Sequence, residues 1–270
     1  MHLVRTSLAL AALVILSIVR TPAESGEIKL GMQTWTLRNL NFEQAVEFCA
    51  KHKIKYLQLI PNHLNVNGTK EEWQKKKDFI EKNGLVAYTF GVVGTSLKHE
   101  ENQKLFECAK FFGMKLIVVE PNDFKILDDL EQLAKEYDIR VVIHNHGITS
   151  TYGNPAVVRN LLKYRDSRIG VCMDAGWIAS ARMDPSKVFK EYNGRVYDIH
   201  LKDKKVQAGE KGDVARDTFL GEGDAQLGGL LKTLQETQWD GVVAIETDND
   251  LKDPTEHTLK AIEFVRQHSK

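Results

Sequence analysis

Four short apolar segments of this chain each end in a side chain that can bind a divalent metal ion. These side chains are His144, Asp174, His200 and Glu246. In a parallel α/β sheet the chemistry gathers at the carboxyl ends of the strands, so side chains in this position converge. Two imidazoles and two carboxylates suit Mn²⁺, Co²⁺, Zn²⁺ or Fe²⁺ better than Ca²⁺. The sequence therefore predicts one divalent metal site, for which Mn²⁺ is our first expectation.

Two neighbouring residues are alternative ligands. Because alternate side chains on a strand point to the same face, His146 shares a face with His144, and Asp248 shares one with Glu246. A lone Asp or His at a strand end more often caps a helix or makes a hydrogen bond than binds a metal. Four residues of these types at the ends of successive strands favour a shared site instead.

Three further residues are candidates for binding a substrate. Glu120 ends the fourth apolar run, where it can bind a hydroxyl group or pair with a cation. Lys202 shares a strand face with His200 and can stabilise an enolate oxygen, although a salt bridge to a nearby carboxylate is its structural alternative. His63 follows the second run, where a simple surface position is an equally good interpretation.

The elements that must position these residues alternate between strands and helices. Apolar runs recur at similar spacings, and only the last interval is markedly longer. The runs begin near Leu30, Tyr56, Leu85, Lys115, Arg140, Ile169, Val196 and Gly241. Segments between them have helical periodicity, as at Phe42, Ala45, Val46 and Cys49. Eight such units predict an α/β fold, a single (β/α)8 TIM barrel that occupies residues 27–270.

An open, doubly wound sheet is the alternative architecture. Such a sheet normally has fewer strands and a glycine-rich phosphate-binding turn. The segment from Gly91 to Gly94 lacks the third glycine of that motif, and the pair Gly221 and Gly223 lies in the long loop expected after the seventh strand. Since no linker or low-complexity segment divides the chain after residue 27, one domain is sufficient.

Composition and the N-terminal segment limit the functional classes. The chain has 270 residues with 37 basic and 37 acidic side chains, so no general field attracts a nucleic acid. Residues 1–23 combine Arg5, an apolar stretch and small residues before Glu24, as in a secretory signal peptide, with an uncleaved anchor as the alternative. We therefore expect an exported protein, periplasmic or extracellular, without stable membrane insertion after cleavage. The sequence is also compatible with a homo-oligomer.

Several other residues have structural interpretations. Cys49, Cys108 and Cys172 are widely spaced in apolar surroundings, which predicts buried thiols rather than a disulfide framework or a zinc site. The acceptor side chains of Asn41, Asp128 and Asp184 precede helical patterns and are expected to cap them.

Five motifs together resemble the xylose isomerase-like TIM barrel superfamily. They are LGMQTWTLR at 30–38, MDAG at 173–176, HLKD at 200–203, LGEG at 220–223 and IE at 245–246. The resemblance covers essentially the whole chain after the signal segment. That superfamily includes sugar phosphate isomerases/epimerases, ketose 3-epimerases, inosose dehydratases and abasic-site endonucleases. The combination of motifs is specific for the superfamily and not for one substrate.

The resemblance implies roles for individual residues. In the epimerases, a Glu, an Asp, a His and a Glu on strands five to eight bind the metal. The last three match Asp174, His200 and Glu246, whereas the first is replaced by His144.

Two tryptophans are substrate-binding candidates on the same basis. Trp35 falls where relatives place an aromatic residue against the sugar, although a core position is as reasonable. Trp177 stands where a His commonly follows the strand-six Asp, so it is the second departure from the pattern.

Replacement of the strand-five carboxylate affects the catalytic groups that the resemblance implies. Related ketose epimerases use the strand-five and strand-eight carboxylates as paired acid and base, and only Glu246 of that pair remains. His144 or His146 must then handle the other proton. Metal ligation through one ring nitrogen leaves His144 a poor base, whereas a metal-bound carboxylate such as Glu246 can exchange between ligand and base roles, so His146 is the better candidate for the other proton. An imidazolium facing a leaving oxygen favours elimination over a two-base epimerisation.

The first functional hypothesis is a metal-dependent sugar isomerase or epimerase that removes a proton next to the carbonyl of a keto sugar or polyol. A lyase or dehydratase acting on keto sugars or 3-keto-glycosides is the alternative, and a noncatalytic sugar-binding barrel is the third. An abasic-site endonuclease is disfavoured because it needs extra histidines, including one in place of Trp177, and a basic groove. The expected partner is a small carbohydrate and not a nucleic acid.

Overall fold

The computed structural model describes residues 28–210 and 212–268. The predicted signal peptide, residues 1–23, lies outside these ranges. Among the described residues, no helix combines the length and the apolar character needed to span a bilayer.

The described residues contain ten strands, and eight of them form the barrel. In chain order they are β1 (Lys29–Gln33), β2 (Tyr56–Leu59), β3 (Val86–Phe90), β4 (Leu116–Val119), β5 (Arg140–His144), β6 (Ile169–Asp174), β7 (Val196–Leu201), β8 (Asp203–Gln207), β9 (Val214–Thr218) and β10 (Val242–Ile245). Each of the eight barrel strands, β1 to β7 and β10, begins within one residue of its predicted start. The apolar runs therefore located the strands correctly.

The barrel strands pair in the order β3-β2-β1-β10-β7-β6-β5-β4, and neighbouring strands are parallel. The two outer strands, β3 and β4, approach each other where Val93 forms a bridge with Val119. At Gly91 the φ angle is +134°, and an added Cβ atom would lie 2.2 Å from the carbonyl oxygen of Val118. Glycine is therefore required for this close approach. The result is the predicted (β/α)8 TIM barrel.

Helices follow the strands around the barrel. They are α1 (Phe42–Lys51), α2 (Lys70–Lys82), α3 (His99–Phe112), α4 (Ile126–Tyr137), α5 (Pro155–Leu162), α6 (Ala175–Ser180), α7 (Pro185–Glu191), α8 (Leu227–Glu236) and α9 (Thr255–His268), and a 3₁₀ turn covers Thr34–Leu37. The predicted apolar face of α1, formed by Phe42, Ala45, Val46 and Cys49, is buried. Helical periodicity thus identified the side of α1 that packs on the core.

Two of the three predicted helix caps are confirmed. Asn41 accepts a hydrogen bond from the backbone of Gln44, and Asp184 accepts one from the backbone of Ser186. The prediction for Asp128 is wrong, because α4 already begins at Ile126 and Asp128 lies in its first turn. An acidic residue there still interacts favourably with the helix dipole.

The long interval before the last barrel strand contains a hairpin. β8 and β9 pair antiparallel in a separate two-stranded sheet, where only a loop was predicted. Their sequences, DKKVQ and VARDT, are rich in charged residues and lack a sustained apolar run, so no strand pattern identified them.

The three cysteines lie where their apolar surroundings predicted. Cys49 is on α1, Cys108 on α3 and Cys172 on β6, and all three are free and buried. Cys172 packs in a small apolar cluster with Val118 on β4 and Val142 on β5. The thiols therefore belong to the packing of the barrel.

Candidate active site

The four predicted metal-binding side chains meet at one end of the barrel. His144 and Asp174 are the last residues of β5 and β6, His200 lies near the end of β7, and Glu246 directly follows β10. One nitrogen or carboxylate oxygen from each residue lies within 4.8 Å of those of the other three. Oδ2 of Asp174 is 3.7 Å from Nε2 of His144 and 3.9 Å from Nδ1 of His200. The strand ends thus converge on one point.

Five buried atoms of these side chains have no hydrogen-bond partner among the described residues. They are Nδ1 and Nε2 of His144, Oδ2 of Asp174, Nδ1 of His200 and Oε2 of Glu246. Nδ1 of His200 contacts Oε2 of Glu246, but without the geometry of a hydrogen bond. Buried polar atoms normally have hydrogen-bond partners, so this group of atoms, with one lone pair available on each imidazole, fits a bound cation. The donor set suits a divalent transition metal.

The backbone around Asp174 leaves one of its carboxylate oxygens free. Oδ1 accepts a hydrogen bond from the backbone nitrogen of Trp177 at 2.8 Å, which caps the start of α6. The side chain of Asn145 binds both the backbone nitrogen and the carbonyl oxygen of Asp174, at 2.9 and 3.3 Å. Oδ2 therefore faces His144 and His200. Asn145 was not among the predicted site residues, because an amide between two histidines carries no distinctive sequence signal.

Lys202 lies among three carboxylates beneath this cluster. Its Nζ atom is 3.2 Å from Asp174, 3.1 Å from Glu246 and 3.1 Å from Asp248. The salt-bridge alternative considered for Lys202 is thus the arrangement that the structure shows. Burial alone would raise the pKa of Asp174 and of Glu246, but the Lys202 ammonium and the neighbouring histidines together outweigh it and hold both pKa values below their ordinary range. Both carboxylates are therefore kept anionic.

The two clustered histidines have different electrostatic surroundings. Burial lowers the pKa of His144, which favours the neutral imidazole that a metal requires. Burial would also lower the pKa of His200, but the carboxylates of Glu246, Asp198 and Asp174 together more than offset it and raise that pKa. A proton and a metal ion therefore compete for Nδ1 of His200.

A cavity of about 340 Å³ opens onto the cluster. Its lining residues are Gln33, Trp35, Ile60, Pro61, Asn62, Val92, His144, His146, Glu246 and Asp248. The predicted substrate residue Trp35 is 42% exposed and lies in this wall, with the Arg38 guanidinium 4.7 Å above its ring. One side of the cavity is therefore apolar and the other carries the cluster. The described residues that line it include no lysine or arginine.

His146 and Glu120 form a pair at the edge of the cavity. Nδ1 of His146 lies 2.5 Å from Oε2 of Glu120, and the ring of His146 is 4.6 Å from that of His144. The His146 side chain is 44% exposed and lines the cavity. The hydrogen bond to Glu120 raises the pKa of His146. His144, which ends β5, and His146, two residues later, thus differ: His144 is buried in the cluster, whereas His146 is partly exposed and pairs with Glu120.

Comparison with protein families places this arrangement in a known group. The sequence profile of the xylose isomerase-like TIM barrel family matches residues 46–268. The chain belongs to this family. The superfamily resemblance carried by its motifs is therefore confirmed.

Members of the xylose isomerase-like family resemble this chain at low sequence identity. An inosose dehydratase from Clostridium beijerinckii is 21% identical over 216 residues, which cover 74% of this chain and 70% of the relative. A structure of an uncharacterised protein from Parabacteroides distasonis has a TM-score of 0.70 and 28% identity, covering 89% and 98% of the two chains. The IolI protein, solved with a bound zinc atom, has a TM-score of 0.70 at 14% identity, covering 90% and 98%.

The remaining substrate-binding candidates do not line the cavity. His63 is buried, and its Nε2 atom lies 2.9 Å from the carbonyl oxygen of Leu40. Trp177 stands on α6 with the Lys204 ammonium 3.8 Å from the centre of its ring, and its ring centre is 5.8 Å from that of His146. Trp177 therefore packs behind His146, and Glu120 reaches the cavity only through its pairing with that residue.

Two family motifs turn out to be structural partners. The Asp203 carboxylate, which ends HLKD, accepts backbone hydrogen bonds from Gly221, Gly223 and Ala225 at 2.9, 3.0 and 3.0 Å. A Cβ atom on Gly223 would lie 2.1 Å from Oδ1 of Asp203. Asp203 therefore holds the LGEG turn against the end of β7. The pairing of HLKD with LGEG was not recognised from the sequence.

Proposed function

We propose that this chain is a divalent-metal-dependent enzyme that removes the proton next to the carbonyl of an uncharged keto sugar or polyol. The observation that carries the proposal is the buried cluster of two imidazoles and two carboxylates, five of whose atoms have no hydrogen-bond partner among the described residues, beside a cavity that His144 and Glu246 line. Because four strand ends supply these atoms, they are held in place before a ligand binds. The inosose dehydratase relatives support an enzyme of this general kind.

His144, Asp174, His200 and Glu246 would hold the metal, with Mn²⁺ as the first candidate and Zn²⁺, Co²⁺ or Fe²⁺ as alternatives. When bound, such an ion acts as a Lewis acid that acidifies the carbon-bound proton beside a coordinated carbonyl group. The cluster fits this role because two of its residues, His144 and Glu246, also line the cavity, so an ion held by the cluster would lie beside a bound substrate.

Glu246 is the proposed proton acceptor. It lines the cavity, and Lys202 at 3.1 Å keeps its carboxylate ionised, so it is able to accept a proton. The same ammonium makes Glu246 a weak base. Glu246 therefore requires an activated carbon acid, and it would not deprotonate an ordinary alcohol carbon.

His146 is the proposed proton donor to a leaving oxygen. It faces the cavity, while Nδ1 is held by Glu120 at 2.5 Å. In an elimination, Glu246 takes the proton from the carbon beside the carbonyl, a double bond forms to the next carbon, and the carbon–oxygen bond there breaks. His146 protonates the departing oxygen, so water or an alcohol leaves. The reaction is redox-neutral.

This pair of unlike groups favours elimination over epimerisation. A two-base epimerisation needs a second proton-transfer group on the opposite face of the same carbon, and the strand-five position holds His144 within the metal cluster. An imidazole paired with a carboxylate is instead suited to protonating a leaving group. The dehydratase or lyase outcome is therefore our preferred form of the proposal.

The cavity indicates an uncharged substrate. Trp35, Ile60, Pro61 and Val92 offer an apolar wall for the carbon-bound hydrogens of a sugar ring. A phosphate group would find no lysine or arginine among the described lining residues and would face the Asp248 carboxylate. Free keto sugars, inososes and 3-keto-glycosides fit this lining. We also propose that residues 1–23 direct export, which matches an unphosphorylated substrate.

The test begins with metal analysis of the purified protein. The protein is then supplied with Mn²⁺, Zn²⁺ or Co²⁺ and incubated in deuterated water with keto sugars, inososes and 3-keto-glycosides, followed by NMR. An unsaturated carbonyl product supports elimination, and deuterium uptake with isomerised product supports an isomerase or epimerase. Sugar binding that chelators do not change, with neither deuterium exchange nor product in the presence of any of the metals, would indicate a noncatalytic barrel. Phosphorylated analogues serve as matched substrates and should react more slowly.

A further inference from the structure

Gln58 contacts the side of His200 that faces away from the metal cluster. It lies on β2, is fully buried, and follows a shift in register between β2 and β3. Its Oε1 atom is 3.0 Å from Nε2 of His200 and 3.2 Å from the hydroxyl group of Tyr88. No functional role for Gln58 follows from the sequence motifs. Its position beside a cluster residue suggests one.

The surroundings of Gln58 determine which way its amide group points. Its Nε2 atom donates to the carbonyl oxygen of Gly91 at 3.5 Å, and the same oxygen accepts from Nε2 of Gln33 at 2.9 Å. Reversing the Gln58 amide would place two carbonyl oxygens against each other and leave no acceptor for His200. Oε1 therefore faces His200, as the hydrogen-bonding network requires.

An acceptor opposite Nε2 fixes the tautomer of His200. A neutral imidazole carries one proton, and a carbonyl oxygen at 3.0 Å holds it on Nε2. The lone pair then lies on Nδ1, the atom that faces the Asp174 and Glu246 carboxylates, where a second proton competes with a cation. The other carboxylate near Nε2 belongs to Asp198, and at 3.9 Å it is too far for a hydrogen bond.

His144 provides a contrast within the same cluster. Neither of its ring nitrogens has a hydrogen-bond partner among the described residues. The protein therefore selects the ligand atom of His200 but not that of His144. Partners of this kind orient metal-binding imidazoles and raise their basicity in other proteins.

We propose that Gln58 is a positioning residue that fixes His200 as its Nε2–H tautomer and so presents Nδ1 to the metal. This inference rests on the metal site of the proposed function, but not on its reaction. Gln58 is not among the described residues that line the cavity, and it reaches the cluster through its contact with His200.

The tautomer is measured by long-range ¹H–¹⁵N NMR on ¹⁵N-histidine-labelled protein, with His200→Asn used to assign the His200 signals. Spectra are recorded without metal at a pH where the imidazole is neutral, and again with Zn²⁺. The proposal requires an Nε2–H signal from His200 in both states and a metal-shifted Nδ1 with Zn²⁺. Coordination through Nε2, or an Nδ1–H tautomer in the metal-free protein, would overturn it. Neither NMR measurement requires turnover, so the tautomer of His200 is tested independently of the proposed reaction.

Three variants test the role of Gln58. Gln58→Leu removes the acceptor and should weaken Zn²⁺ binding about 10- to 100-fold, the usual effect of losing such a partner. Gln58→Glu keeps an acceptor and should restore affinity to within about fivefold of wild type. Tyr88→Phe is the matched control, because it removes a buried hydroxyl from Gln58 and Asp198 without touching His200. Equal losses in all three variants, or an unchanged affinity in Gln58→Leu, would contradict the proposal.

Discussion

The ammonium nitrogen of Lys202 lies 3.1 Å from Oε1 of Glu246, in a position where both side chains are buried. The two carboxylate oxygens of Glu246 therefore have different partners: Oε1 contacts Lys202, and Oε2 contacts His200. Lys202 therefore compensates one of the three negative charges of Asp174, Glu246 and Asp248, and a divalent ion would compensate the other two. Lys202 directly follows β7, the strand that carries His200.

Loss of Lys202 should destabilise the metal-free protein. Lys202→Met retains the apolar stem but leaves the buried carboxylates of Asp174 and Glu246 without their cation. We expect a loss of about 3–5 kcal/mol in the free energy of unfolding at neutral pH, as when one partner of a buried pair is removed. Denaturant unfolding with a chelator present measures it. Lys202→Arg keeps the charge and should lose less, and equal losses for both would show that packing is responsible.

Lys202→Met should also change how the free energy of unfolding of the metal-free protein depends on pH. In the metal-free wild type, the depressed pKa values of Asp174 and Glu246 give stability that persists above the ordinary carboxyl range and is lost as pH falls through the folded-state values. In Lys202→Met, burial raises both pKa values, so protonation relieves the buried charge. The stability difference between the proteins should therefore shrink from about pH 7 to about pH 5. A constant difference would mean that Lys202 does not set these pKa values.

Metal binding should depend on the four clustered side chains. Asp174→Asn and Glu246→Gln each remove one anionic ligand and should weaken Zn²⁺ or Mn²⁺ binding by at least about 100-fold, more than an outer partner usually contributes. Asp248→Asn is the matched control, because Asp248 also pairs with Lys202 but lies outside the cluster. Competition with a chromophoric chelator measures the affinities. Similar losses in all three variants would indicate an effect of charge rather than of ligation.

Glycine at position 223 should be required for the turn that Asp203 organises. In Gly223→Ala, the new methyl group would meet Oδ1 of Asp203 at 2.1 Å. We expect a loss of about 1–3 kcal/mol in the free energy of unfolding, as for other overpacked sites. Gly229→Ala on α8 is the control, since its nearest contact would be Ser186 at 3.7 Å. Thermal unfolding of both variants tests the prediction, which fails if they are equally stable.

The barrel was predictable because parallel strands buried on both faces appear as continuous apolar runs. His144, Asp174, His200 and Glu246 were identified because each ends such a run. The hairpin β8–β9 was missed because its strands are charged. Asn145 and Gln58 were missed because an amide gains its role only from its neighbours in the folded chain.

The salt-bridge partners of Lys202 were harder to predict from the sequence than the metal-binding residues. Its strand face was correctly inferred from its spacing to His200, but its three carboxylate partners come from β6 and from the segment after β10. Pairing across strands that are distant in sequence depends on the register of the barrel, which the sequence pattern does not specify. His63 was proposed for the pocket from its strand end alone, and the fold turns it toward Leu40 instead.

His146 should be required for product formation but not for metal binding. His146→Asn removes the proposed proton donor and leaves all four clustered side chains in place. We expect the turnover number to fall by about 10²- to 10⁴-fold, the usual contribution of general acid catalysis, with metal affinity nearly unchanged. Deuterium exchange at the substrate carbon should survive better than product release, because Glu246 is intact.

Glu120→Gln weakens the alignment of His146 and should cause a smaller loss of the same kind. His99→Asn, at an exposed histidine that also pairs with a carboxylate, is the control and should retain full activity. Full turnover in His146→Asn, or loss of its metal, would show that His144 and His146 have been assigned the wrong roles.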